Sequence, residues 1–381
     1  MELTDYRKRL DAIDEELLNL FKERMGISEE IAHYKKEMGL PVLVPSRERE
    51  IMQQVALAAG PKLACDAQML FGTILDLSRG AQYRVMRQGE VTPLGDKIRA
   101  AVAATPDFLP NMPSVACCGI DGSFAFQAAD KAFSHAMING FKNFEAVAQA
   151  VEKGLCKYGV LPIENSTFGT VKPVYDLMGK YNFYIVRALK LHVCHALLAK
   201  PGVSLEEIKE IRSHEQAVGQ CAEYLRTLKD VQVITGVNTA VAARQVAEGN
   251  RRDLAAIASP LCAELYGLNV LKENIQDNDN NYTRFICISR ELEIYPGANH
   301  ISVTLRLPHR AGALSRFISR FAALGVNLTK LESVPLPGSD FEVSFYFDFD
   351  TSVRAKGVTE LLDELSTEAA QFVFLGNYIE S

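Results

Sequence analysis

Between Thr4 and Met38 the apolar residues Leu10, Ile13, Leu17, Leu20, Phe21, Ile27, Ile31 and Met38 recur at the threes and fours of a helix. Thr4 can cap its start, and Gly39 with Pro41 stops it. Two more helical stretches follow, 46–59 ended by Gly60-Pro61 and 66–88 ended by Gly89, so residues 1–90 read as all helix. A helix of that first length reaches roughly 50 Å, well beyond the width of a compact domain of its size. Its apolar stripe needs cover, and a second copy of the chain is the simplest cover, giving an intertwined homodimer with a shared helical core.

The pattern then changes twice. Residues 91–113 carry Pro93, Pro106, Pro110 and Pro113 without periodicity and read as a linker with one short helix. From 114 to 291 short apolar strands (SVACCGI, YGVLPI, FYIVRAL, HVCHALLA, VQVITGV, LAAIAS, TRFICIS) alternate with helical stretches, which predicts an α/β domain with a largely parallel sheet. Several strand-to-helix junctions carry small polar residues, among them Ser213, Asn238-Thr239 and Ser259-Pro260. Residues 298–381 read βαββαβ, an α+β ferredoxin-like domain.

With 381 residues the chain has room for these domains, and 41 basic against 47 acidic residues give a net charge of −6. No global positive field exists to gather nucleic acid or an anionic membrane. The amino end is charged from its second residue, and no apolar run reaches membrane length, so the expectation is a cytoplasmic protein. Eight cysteines without a C-x-x-C pair read as reduced core residues. His192 and His195 lack further ligands at metal spacing, and with no Walker motif or G-x-G-x-x-G the sequence points to no cofactor and no metal.

Chemistry appears where cations interrupt the apolar face. On a helical wheel Arg24 and Lys35 fall inside the stripe of the first helix. Snorkelling or pairing with a buried acid would be the ordinary explanation. Asp14 and Glu16 lie only at the margins, however, and Asp11, Glu15 and Glu23 point away, so an external anion is the better partner. Arg7, which alone reads as a surface arginine, lies at the far end, where antiparallel pairing could carry it to the other chain's pocket. Arg47 and Glu48 open the second helix, and Ser78 and Gln82 stand four apart on the third. Such a pocket suits a small dianion and offers no activated nucleophile.

The series Arg7, Asp14, Arg24, Lys35, Arg47-Glu48, Ser78 and Gln82 resembles the all-helical chorismate mutases, homodimers that rearrange chorismate to prephenate. The resemblance implies that Arg24, Arg47 and the neighbouring chain's Arg7 clamp carboxylates. By the same likeness Lys35 and Gln82 donate to the breaking ether oxygen, and Glu48 with Ser78 holds the ring hydroxyl. That is catalysis by positioning and preorganised charge. Val44 stands where several relatives carry an aspartate.

In the middle domain Glu164-Asn165-Ser166, Ser213-His214-Glu215-Gln216 and Asn281-Tyr282-Thr283-Arg284-Phe285 together resemble the prephenate dehydratases, whose two lobes, like those of type II periplasmic binding proteins, enclose the site. The likeness implies that Thr283 assists departure of the ring hydroxyl and Arg284 grips a carboxylate, while Glu164, Asn165, Ser166, Ser213, Gln216 and Gln220 line the cleft. Without it, Ser213 reads as a helix cap and Thr283 as an ordinary strand residue. The turn Gly119–Ser123 could form a nest of amide donors. Ala125 and Glu215 stand where relatives usually have Ser or Thr and Pro.

At the carboxyl end, Ala311-Gly312-Ala313-Leu314 and Leu331-Glu332-Ser333-Val334-Pro335 resemble the ACT domains that sense small molecules. Gly312, Ala313, Leu314, Glu332 and Ser333 are then the residues for a phenylalanine effector, and a plain dimerisation module is the bland alternative. Val334 replaces an arginine of the relatives and removes up to five donors, which predicts weakened feedback. The sequence thus reads as a bifunctional chorismate mutase/prephenate dehydratase, a homodimer or tetramer acting on chorismate and prephenate. Its rivals are an arogenate-preferring dehydratase, a non-catalytic amino-acid-sensing protein and a dehydratase whose helices only dimerise.

Overall fold

The computed structural model describes residues 2–86, 93–236, 238–307, 312–335, 343–369 and 371–381; the expected helix stop at Gly89, the start of the linker and Ala311 lie outside them. The chain divides into two compact units, each assembled from three segments. Met1–Asp96, Leu307–Gly325 and Gly357–Phe372 make one; Lys97–Arg306, Val326–Lys356 and Val373–Ser381 make the other.

The first unit opens with α1 (Leu3–Met38). Its cap is Glu2 rather than Thr4, with the Asp5 carboxylate accepting from the Glu2 N–H at 3.0 Å. It stops at Gly39 in the left-handed conformation, φ 64°. α2 (Pro45–Met86) is broken at Gly60, whose φ of 72° and ψ of 169° no helix contains, and Pro61 reopens it. The third helix therefore starts at the break, ahead of the expected Asp66. Ser28 and Ala32 of α1 are buried, as are Leu75, Ser78, Ala81, Gln82 and Val85 of α2. Leu10, Ile13, Leu17, Leu20, Ile27 and Ile31 stay exposed, so this chain does not cover its own stripe.

After α3 (Pro93–Ala104) the second unit runs β1 (Ser114–Cys118), α4 (Phe124–Ala132), β2 (Met137–Phe141), α5 (Phe144–Glu152), β3 (Tyr158–Asn165), β4 (Gly169–Thr170), α6 (Lys172–Lys180) and β5 (Tyr184–His192). A second lobe follows with β6 (Ala196–Ala199), β7 (Glu210–His214), α7 (Glu215–Gln220), α8 (Ala222–Thr227), β8 (Gln232–Gly236), α9 (Thr239–Glu248), β9 (Leu254–Ala258), α10 (Leu261–Tyr266) and β10 (Asn269–Lys272). The chain then returns to the first lobe as β11 (Tyr282–Ser289). The second lobe holds a five-stranded sheet ordered β10-β6-β9-β7-β8. In the first lobe β1 is parallel to β2 and β3, but β11 lies antiparallel between β3 and β5. Both sheets are thus mixed rather than largely parallel: the returning strand β11 enters the first from the opposite end, and in the second β6 runs antiparallel to β9 and β10.

The last segment gives β12 (His300–Arg306), α11 (Ala313–Ala323), β13 (Asn327–Pro335), β14 (Val343–Asp350), α12 (Val358–Glu368) and β15 (Gln371–Glu380), the expected βαββαβ order. Its strands do not stand alone. They extend the first lobe's sheet in the order β13-β14-β12-β15-β5, with Ile379 opposite Arg187. Tyr346, Leu375 and Tyr378 share one core with Leu161, Ile163, Val174 and Ile286. α11 and α12 belong to the helical unit, where Arg84 meets Glu364 at 2.6 Å, the Gly95 N–H donates to Asp363 at 2.7 Å and Arg316 meets Asp76 at 3.5 Å. Among the described residues no helix is long and apolar enough to cross a membrane.

Candidate functional site

Arg24 and Lys35, about three turns apart on α1, both face the second half of α2. The Arg24 guanidinium donates to Ser78 Oγ, and Lys35 Nζ donates to Gln82 Oε1 at 3.0 Å and to the Val42 carbonyl at 2.7 Å. Ser78 and Gln82 are buried, which fixes the far wall. Burial lowers the pKa of Arg24 and of Lys35, and the Glu48 carboxylate pulls Lys35 partly back. Arg79 holds Glu48 in an ion pair and Asp76 in another. Sequence reading missed Arg79, although its i,i+3 relation to Asp76 and its place beside Ser78 were visible. Two expected residues are not gathered here. Arg47 is exposed and pairs with Glu50 at 2.6 Å. Arg7 is exposed, seventeen residues and about 25 Å of helix from Arg24.

A second concavity opens between the two lobes of the α/β unit, a cleft of about 230 Å³. Its lining includes Ser123, Phe124, Asn165, Gln216, Gln220, Asn238, Thr239, Thr283 and Phe285. Thr283 and Asn165 are register partners on adjoining strands, and Asn165 Nδ2 donates to Thr283 Oγ1 at 3.0 Å. The starts of two helices form walls: Ser123 Oγ accepts from the Phe126 N–H at 3.4 Å, and Asn238 Oδ1 from the Ala240 N–H at 2.8 Å. Unpaired N–H groups at such termini favour carboxylates. Gly119, at φ 111°, brings the lobes close there, since a Cβ would come within 2.8 Å of Asn238 Nδ2. Cys118 borders the cleft too, but burial pushes its thiol pKa up, away from a thiolate. No cluster of three metal-holding side chains occurs among the described residues.

Two families match this chain. Residues 6–83 match chorismate mutase type II and residues 115–293 match prephenate dehydratase. A bifunctional chorismate mutase/prephenate dehydratase of Aquifex aeolicus (strain VF5) is 30% identical over 379 residues, spanning 99% of this chain and 98% of that one. The chain belongs to the bifunctional chorismate mutase/prephenate dehydratase family. The arogenate dehydratase/prephenate dehydratase 2 of Arabidopsis thaliana is 37% identical over 69% of this chain and 72% of its own. The solved prephenate dehydratase from Arthrobacter aurescens, in complex with L-Phe, is 32% identical, covers 70% of this chain and 89% of that one, and superposes with a TM-score of 0.64.

Within the dehydratase part, Thr283, Asn165, Gln216 and Gln220 line the cleft, while four expected residues do not. Arg284 is turned to the other face of β11, where it is buried against Asp348 at 2.5 Å and Glu380 at 2.6 Å and donates to Tyr378 at 3.0 Å. Glu164 alternates away from Asn165 in the same manner and meets Lys330 at 2.8 Å. Ser213 is fully buried; its hydroxyl donates to the Ile257 carbonyl at 2.7 Å, tying β7 to β9, and His214 is the cap of α7 instead. Ser166 Oγ donates to the Asn280 carbonyl at 2.7 Å and accepts from the Tyr282 N–H at 2.9 Å, clamping the loop before β11. Asn281, buried behind Thr283, and the wall residues Ser123 and Asn238 were missed; the polar junctions were the available signal.

The expected effector residues fall in different units. Gly312 caps α11 in the left-handed conformation, φ 77°, and a recess of about 560 Å³ is lined by Gly312, Ala313 and Leu314 in the helical unit. In the α/β unit, Glu332 accepts from Thr170 Oγ1 at 2.9 Å, Ser333 is exposed, and Val334 packs against the core.

Proposed function

We propose that chorismate is rearranged beside Arg24, Lys35, Ser78, Gln82 and Glu48, and that the cleft around Thr283 dehydrates and decarboxylates the prephenate produced. The first reaction is pericyclic, so it asks the protein to hold the compact conformer of a dianion and to stabilise charge on the departing ether oxygen. Two semi-buried cations opposite neutral buried donors supply that. A homodimer completes the site: the uncovered stripe of α1 supports a second copy, whose Arg7 reaches the carboxylates.

In the cleft the ring carbon–hydroxyl bond breaks, and the hydroxyl leaves as water with a proton supplied through Thr283. The ring carboxylate leaves as carbon dioxide, and its electron pair closes the aromatic ring of phenylpyruvate. Helix starts at Ser123 and Asn238 favour the carboxylate that remains. The observation that carries this reading is the facing of Thr283 and Asn165 on the cleft floor. Thr283→Val, which keeps shape and removes the hydroxyl, is expected to consume chorismate normally and accumulate prephenate. Undiminished phenylpyruvate formation by that variant would overturn the assignment.

The Arabidopsis relative's name covers arogenate as well as prephenate, so kcat/KM for both substrates is the direct discriminator. Phenylalanine is the proposed effector, on the strength of the L-Phe complex of the Arthrobacter relative. With Val334 packed against the core and no guanidinium at its position, inhibition should be weaker than micromolar. Ordinary micromolar inhibition of the dehydratase rate would refute this.

A further inference from the structure

The backbone N–H groups of Thr167 and Phe168 both donate to Asn165 Oδ1, each at 3.0 Å. Backbone donors cannot reverse, so the other end of this side chain must be its nitrogen. That nitrogen meets the Tyr282 carbonyl at 3.3 Å, Thr283 Oγ1 at 3.0 Å and Asn281 Oδ1 at 2.9 Å. Asn281 therefore presents its oxygen, and Gln220, which meets that oxygen at 3.4 Å, must offer its nitrogen. The Gln220 oxygen is left facing His195 Nε2 at 2.7 Å, where only a protonated Nε2 satisfies it. Donation thus runs inward from two backbone amides at one end and from a buried imidazole at the other, and the two arms meet at Asn281 Oδ1. Thr283 Oγ1 is an acceptor within this network and keeps its own proton for a partner in the cleft.

We infer that His195 is a positioning residue of the dehydratase site, which as its Nε2–H tautomer holds Gln220 and, through Asn281 and Asn165, aims the Thr283 hydroxyl at the departing group. This rests on the reading of Thr283 as the proton donor. His195 is 2% exposed; its backbone N–H is fixed by Gln276 Oε1 at 2.9 Å, and its ring stands edge-on to the cleft residue Phe124 with centroids 5.6 Å apart. Its Nδ1 is buried without a partner among the described residues, so a proton placed there would find no acceptor. Burial also lowers its pKa, although Gln220 opposes the shift, so the ring carries a single proton. The amides between His195 and Thr283 fix direction and carry no proton.

Steady-state dehydration of prephenate by wild type, His195→Leu, His195→Gln and Thr283→Val tests this, with mutase turnover of each preparation as an independent control. His195→Leu should lower kcat about tenfold or more while KM changes little, as when orientation rather than binding is lost. His195→Gln, which returns an N–H near the lost one, should recover most of the rate. Wild-type kcat in His195→Leu beside an inactive Thr283→Val overturns the inference alone, whereas an active Thr283→Val overturns the reading of Thr283 and this inference with it. Equal impairment of the leucine and glutamine variants reduces His195 to packing and also overturns it. In the wild-type enzyme, histidine-selective ¹⁵N spectra should show a bare Nδ1 at His195; a protonated Nδ1 with a bare Nε2 rejects the network directly.

Discussion

Lys35 shows what one semi-buried charge commits the enzyme to. An ammonium with a lowered pKa loses its proton at a lower pH than an ordinary lysine, so mutase kcat/KM should fall on the alkaline side below the usual lysine range. Glu48→Gln removes the carboxylate that pulls Lys35 back up and should move that limb lower still; an unmoved limb in the pH–rate profile would dissociate it from Lys35. Lys35→Ala should cost the mutase on the order of 10²–10³ in kcat. Asn165→Asp makes a matching statement about the cleft. An ionised aspartate only accepts, so the Thr283 hydroxyl would donate to it instead of to substrate. Dehydratase kcat should drop about 10²-fold with mutase turnover unchanged, and a normal rate would show that the amide's direction is irrelevant. Arg24, Lys35, Ser78 and Gln82 were legible in the sequence because a helix fixes which residues share a face. Arg284 and Glu164 were misplaced for the converse reason. Neighbours on a strand point oppositely, so Thr283 with Arg284, and Asn165 with Glu164, cannot both face one cleft.

At the scale of elements, Arg284 acts where β11, β14 and β15 share a sheet. Burial disfavours its charge, and the surrounding Tyr378, Asp348 and Glu380 outweigh that and keep it protonated. Burial likewise opposes a charged Glu380, but Arg284 and Lys190 hold its carboxyl below the ordinary glutamate value. A depressed carboxyl contributes stability above its unfolded pKa and loses it as pH falls through the folded one. Urea unfolding should therefore show stability falling on the acid side of the ordinary glutamate range, and Glu380→Gln should flatten that slope. Asp348→Ala removes one of the two carboxylates that hold the buried guanidinium, leaving Glu380, and should cost about 1–3 kcal/mol. A loss under about 1 kcal/mol would show that the cluster is not holding the strands. The main strands and the Gly60-Pro61 break were readable from local pattern. β2 and β7, with polar residues at their alternate positions, and the insertion of β11 between β3 and β5 were not, because pairing order depends on contacts distant in sequence.

For the whole molecule, the uncovered stripe of α1 and the remoteness of Arg7 from Arg24 lead to a complementation test. Arg7→Ala and Arg24→Ala should each abolish mutase turnover, yet chains mixed and reassembled should regain activity, since one of the two sites in a mixed dimer keeps both arginines. Failure to regain any would mean that each chain builds its own site. Three stretches of different periodicity were legible along the chain, but the division of residues 298–381 between two units was not, since it lies in contacts that local pattern does not encode. That division matters most while the chain is being made. The helices of residues 2–86 leave the ribosome well before the segments that complete their unit, Leu307–Gly325 and Gly357–Phe372. At ordinary translation speeds some tens of seconds separate the two. Through that interval the exposed leucines and isoleucines of α1 wait for their apolar cover, so the homodimer proposed above is expected to begin assembling between nascent chains.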